Sequence, residues 1–162
     1  AARLPDGRIV CAGGDGYDAV LSSVEVCEPP ALGAVDAAWT RRELPAMSIA
    51  RIACRGCVLS DGRFAVLGGD DGIGGECLSS CEALVVDHDD HWEALPSMHM
   101  ARSNSACAAV AKCVLIASGY GGCDYGDLLR PAEVFDEVLG HWLQLPCVLL
   151  YDGGLCGMGS AL

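Results

Sequence analysis

Apolar positions along this chain gather into short runs separated by glycine-rich turns. Ile52 to Leu59 and Phe64 to Leu67 are apolar nearly throughout, and Ile9 to Ala12 and Cys113 to Ala117 follow the same pattern. Apolar runs this short, bounded by glycine, predict strands rather than helices, and continuous apolarity predicts strands covered on both faces. Asp6-Gly7 and Asp61-Gly62, each set before a run, predict two-residue hairpin turns. The doublets Gly13-Gly14 and Gly68-Gly69 close the strands that follow, where crowded backbones leave no room for side chains. Each Leu-Pro pair (Leu44-Pro45, Leu95-Pro96) suits a sheet edge, where a missing N–H is harmless. No segment sustains helical periodicity with caps. Glu133 to Leu139 resembles a short helix in isolation, but its match to Glu25-Val26-Cys27 decides for strand. The chain is expected to be all-β.

The runs recur in register. Asp6 to Gly14 matches Asp61 to Gly69, and Cys113 to Gly119 occupies the same place a third time. Each is followed by a glutamate (Glu25, Glu82, Glu133) and then a tryptophan (Trp39, Trp92, Trp142). A Leu-Pro pair comes next, with Leu145-Pro146 as the third, then Met47 and Met98 with Val148 in the third place. Arg51 and Arg102 stand four residues after each methionine. The tryptophans are 53 and 50 residues apart, which fixes the period of an internal repeat.

A period near 50 residues with a glycine doublet and a downstream tryptophan resembles the kelch-repeat family, and the resemblance runs through the whole chain. It implies a kelch-type β-propeller segment of about three four-stranded antiparallel blades. With strands named A to D from the axis outward, residues 51–59, 63–69, about 81–87 and 92–98 would form one blade and residues 102–147 another. The chain would open with strands B, C and D of a blade whose A strand is missing, apart from Ala1 to Leu4. It would close on a lone A strand at 153–162, so that the repeats span about 1–50, 51–101 and 102–152 of a single propeller segment. Three blades do not close a ring, because propellers need at least four. The expectation is a fragment, its incomplete ring completed by missing parts of the same chain. Some positions depart from the family pattern. The strand-C aromatic is Cys27, Leu84 and Phe135; the third repeat lacks the Asp-Gly turn, has Ser118-Gly119 for the doublet, and carries Asp152 where an arginine is expected.

Composition narrows the partners. A net charge of -12 over 162 residues opposes nucleic acid and anionic membrane surfaces, which both require concentrated basic charge. No apolar run reaches the length of a membrane span. Eleven cysteines is an odd number with no shared spacing, and many stand where a small apolar residue would serve. They are expected to be reduced and mostly buried, as in a cytoplasmic protein.

Candidate chemistry centres on one end of the blades. The resemblance implies that Arg51 and Arg102, at the D-to-A turns, point into the mouth of the central channel and grip an acidic partner segment. The planar guanidinium suits that task. The other use of such arginines is to tie neighbouring blades through backbone carbonyls. The B-to-C loops at the same end run over 15–21, 70–80 and 120–130. They hold seven acidic residues, Asp70 and Asp71 among them, against Arg130 alone, with Tyr17, Tyr120 and Tyr125 as aromatic anchors. The alternative is a solvated acidic rim that binds nothing. Cys54 and Cys57 have ligand-like spacing, but in a strand this spacing sends the two thiols to opposite faces, and no second pair completes a zinc set. No nucleophile elbow or phosphate loop occurs.

The reading is therefore a non-enzymatic scaffold without metal or cofactor. It presents loops to a protein partner or basic peptide segment, as a substrate-adaptor module would. Two alternatives remain open: a part of a propeller enzyme of the oxidase or mutarotase type with its active residues on missing blades, and a purely structural part of a larger assembly.

Overall fold

The structure is a computed structural model and describes residues 1–30, 38–72, 76–122, 128–129 and 131–148. Every regular element among these residues is a strand, and the strands form three four-stranded antiparallel sheets in sequence order. The first holds β1 (Ala2–Arg3), β2 (Ile9–Asp15), β3 (Val20–Glu28) and β4 (Thr40–Leu44). The second holds β5 (Arg55–Val58), β6 (Phe64–Leu67), β7 (Cys81–Val85) and β8 (His91–Leu95). The third holds β9 (Ala106–Val110), β10 (Cys113–Ala117), β11 (Pro131–Asp136) and β12 (His141–Val148). Strand is thus the state of Glu133, and β1 supplies a two-residue A strand to the first sheet. The lone A strand expected at 153–162 lies outside the described residues.

The sheets pack face to face, with β1 against β5 and β5 against β9. The period-2 alternation of strand side chains decides which residues meet. Val10, Val24 and Val26 of the first sheet pack on Phe64, Val66 and Leu84 of the second. From its other face the second sheet turns Ala65, Leu67 and Ala83 toward Val114, Ile116 and Phe135 of the third. The middle sheet is covered on both faces, so all four residues of β6 are buried. This is why its sequence shows no alternation.

Two turns differ from expectation. Leu59 N–H donates to Arg63 O (2.9 Å) and Gly62 N–H to Leu59 O (2.9 Å), so Ser60-Asp61-Gly62 forms a three-residue loop, not a two-residue one. Gly62 takes the left-handed position (φ +91°), which L side chains disfavour. The two-residue turn occurs in the third sheet, which lacks Asp-Gly. There Cys113 pairs with Val110, and Ala111 and Lys112 both take positive φ. The strand expected from Ile52 starts only at Arg55, because Ala53 turns left-handed (φ +52°) after Ile52 bridges to Asp70.

Gly68 (φ +56°) illustrates how tightly neighbouring sheets meet, since a Cβ there would lie 2.4 Å from Arg102 O. Gly68→Ala is expected to cost about 2 kcal/mol through backbone strain and displacement of that carbonyl. A urea titration checks this, and Gly62→Ala, whose Cβ would meet nothing within 4 Å, isolates the φ contribution.

Candidate interaction face

One end of the stack carries the D-to-A turns and the B-to-C loops together. The hydrogen bonds of the glycine doublets show this, as Gly14 N–H donates to Arg51 O (3.0 Å) and Gly69 N–H to Arg102 O (2.9 Å). The backbone of each arginine is thereby stitched to the preceding sheet, with Arg51 N–H also donating to Leu21 O and Arg102 N–H to Leu78 O.

Each arginine side chain reaches into the following sheet. Arg51 Nη1 donates to Gly68 O (2.9 Å) and Ser80 O (3.0 Å), and Nη2 donates to Glu82 Oε1 (3.0 Å). Arg102 repeats this with Ser118 O (2.9 Å), Pro131 O (3.2 Å) and Glu133 Oε1 (2.7 Å). Both arginines are fully buried. The expectation that Arg51 and Arg102 grip a partner from the channel mouth is corrected here. Their charges are spent on a buried carboxylate and backbone carbonyls, so they clasp successive sheets together.

The carboxylates complete the clasp from the other side. Glu82 accepts from Ser48 N–H and Ser48 Oγ–H, and Glu133 accepts from the backbone N–H groups of His99 and Met100. Burial acts to raise the Glu133 carboxyl. Hydrogen bonds from His99 N–H, Arg102 and the His99 ring outweigh it and hold the group below its ordinary 4.5. A carboxylate whose folded pKa lies below its unfolded one stabilises in full above the unfolded value and loses that contribution as pH falls through the folded one. Stability should therefore drop on acidification from 4.5 downward. Glu133→Gln should flatten that slope, and thermal melts followed by tryptophan fluorescence across this range measure it.

The remaining expected site residues separate. Tyr17 is fully exposed at the tip of the first B-to-C loop, which Gly16 N–H closes onto Ala19 O (3.0 Å), and Asp15 and Asp18 flank it in solvent. Val20, at the foot of that loop, lies against Gly72, so the first and second loops touch. Asp71 and Tyr120 are half-buried in the second and third loops. Asp70 is buried, its backbone bridged to Ile52 and Cys77 and its Oδ1 accepting Gly72 N–H (2.7 Å). It therefore shapes its loop and offers no carboxylate to a partner. Tyr125 lies outside the described residues. His99 also belongs to this rim, half-exposed with its Nδ1 2.9 Å from Glu133. The repeated glutamate beside the repeated arginine was the signal for both ends of the clasp.

The opposite end is built differently. Arg8 and Arg63 fold onto Asp6 and Asp61 of their own tight turns, both at 2.7 Å. They line a cleft of about 260 Å³ together with Leu4, Pro5 and Val86. Burial pulls the Asp6 carboxyl upward, but hydrogen bonds from Arg8 hold it below its usual value.

Eight of the described cysteines are free, and of these Cys57, Cys81 and Cys107 are buried. Cys11 is exposed, which corrects the expectation of general burial; its face of the first sheet meets no other described sheet. Among the described residues no group of three or more His, Cys, Asp or Glu side chains is disposed to hold a metal. No helix there is long and apolar enough to cross a membrane.

Three twisted four-stranded antiparallel sheets packed face to face, with their first strands side by side, define a segment of a β-propeller. Solved structures agree. The structure titled YjhT superposes with a TM-score of 0.76 at 11% identity, covering 96% of this chain and 53% of that one. A fungal alcohol oxidase of the AA5 family, in complex with copper, superposes with a TM-score of 0.64 at 10% identity, over 87% of this chain and 29% of that one. The chain thus spans about half the length of the first and under a third of the second, and identities this low carry the fold alone. No family model and no curated protein sequence matches the chain.

Proposed function

We propose that the chain is a segment of a kelch-type propeller that acts as a non-enzymatic scaffold, taking a basic protein or peptide segment on its B-to-C loop end. Further blades of the same chain complete the ring. The observation that carries this reading is Tyr17, an aromatic ring fully exposed between two solvent-facing aspartates, on a loop anchored to a clasped sheet stack. Exposed aromatics on rigid supports lose little entropy on binding and are favoured contact residues. Asp71 and Tyr120 belong to the neighbouring loops of the same end and extend the surface. The acidic loops select a Lys- or Arg-bearing segment, and such pairing weakens as salt rises.

Fluorescence anisotropy with a dye-labelled Lys/Arg-rich peptide tests the reading, with an Asp/Glu-rich peptide as control. Tyr17→Ala should weaken binding about tenfold, the scale of an aromatic hot spot. Asp61→Ala at the opposite end should leave binding unchanged. Loss of binding with Asp61→Ala alone, in a folded protein, would place the working surface at the wrong end.

A further inference from the structure

We infer that the face of the first sheet turned away from the second is an interface for a further four-stranded sheet whose D-to-A turn carries an arginine, with Glu25 closing a third clasp. This deepens the proposal that further blades complete the ring and leaves the loop-end reading untouched. At both junctions in the structure the glutamate faces the preceding sheet and receives that sheet's turn: Ser48 and Arg51 on Glu82, His99 and Arg102 on Glu133. Glu25 is the third copy of this residue, opposite Cys11 in the ladder, on the uncovered face. Among the described residues its one ion pair is with Arg41 at 3.3 Å, an arginine two-thirds exposed.

Trp92 Nε1–H donates to Pro45 O of the preceding sheet (2.8 Å), and Trp142 Nε1–H donates to Pro96 O (2.8 Å). In the first sheet Arg41, opposite Cys27, holds their ladder position, and Trp39 lies two residues before it, 52% exposed and with no such bond among the described residues. Ile9, Cys11 and Cys27 stand where Phe64, Val66 and Leu84 are buried in the second sheet, so the uncovered face sets these three side chains around Glu25, with Arg41 and Glu43 of β4 along its outer edge. A surface with Ile9, Cys11 and Cys27 around a carboxylate in the clasp position fits a sheet that brings an arginine. A second copy of this chain does not bring it. By repeat register its third D-to-A turn would set Asp152, not an arginine, against Glu25.

The test extends the full chain by placing a copy of residues 51–106 before Ala1. The copied Arg102 then stands as far ahead of Ala1 as Arg51 stands ahead of Gly56. Alkylation of Cys11 should slow at least about tenfold, as expected of a group moved from surface to interface. Glu25→Gln, or Arg→Gln at the copied Arg102, should restore most of the reactivity. Equal Cys11 alkylation in the extended and present chains overturns the inference. So does protection that ignores both substitutions, or protection of Cys11 in the present chain by self-association seen in sedimentation. A measurement on the present chain stands beside this one, independent of whether the extension folds. Glu25→Leu should change the unfolding constant less than about twofold, as an exposed charge pair does. A loss as large as that from Glu82→Leu would show Glu25 already fully engaged and overturn the inference.

Discussion

Replacing Arg102 by Met should lower stability by about 3–5 kcal/mol, because it strands a fully buried Glu133 without its cation. The effect comes from the orphaned charge more than from the lost pair. Removing both charges with Arg102→Met/Glu133→Leu should therefore recover most of the loss, as buried ion pairs often exchange for apolar groups at small net cost. Recovery should stay incomplete, since Ser118 O and Pro131 O also lose their donor and the N–H groups of His99 and Met100 lose their acceptor. Urea titrations of the wild type, both single variants and the double variant give the coupling energy directly. A double variant less stable than either single variant would contradict the clasp.

The three repeat tryptophans should respond very unequally to alanine. Trp142 is 4% exposed, packs on Phe135 with ring centroids 5.3 Å apart and donates to Pro96 O. Its loss opens a cavity at the second junction and should cost about 3–5 kcal/mol, a fall of about 10 °C in Tm for a chain of this size. Trp39→Ala should cost less than about 1 kcal/mol, since half its surface is already in water. Thermal melts of the two variants decide this. Equal losses would mean that Trp39 is already packed as Trp142 is.

The architecture was legible because it is periodic. A landmark met three times at one spacing identifies a strand even where local pattern is ambiguous, as at Glu133, although the strand expected to run to Leu139 ends at Asp136 and turns there. Pairing was less legible. Arg51 and Glu82 were both visible as landmarks, but only packing shows that each arginine joins the glutamate of the following sheet and is consumed there. Cys11 and Cys57 read alike as strand-interior thiols, yet burial depends on whether a neighbouring sheet covers the face, and only Cys57 has one. Asp70 read as a loop carboxylate free for a partner. Its backbone bridges and its bond to Gly72 are three-dimensional facts that its sequence neighbours do not announce. Turn length at Asp61-Gly62 missed Ser60, because the closing bond from Leu59 to Arg63 is set by strand register.

The central claim is that the clasped stack is a support and the loop end is the recognising surface. Hydrogen–deuterium exchange of the chain with and without a saturating Lys/Arg-rich peptide tests it most directly. Protection is predicted at 15–21, 70–72 and 120–122, with no change at the turns 5–8 and 60–63. Protection confined to those turns, or none at any loop despite measurable binding, would contradict the account.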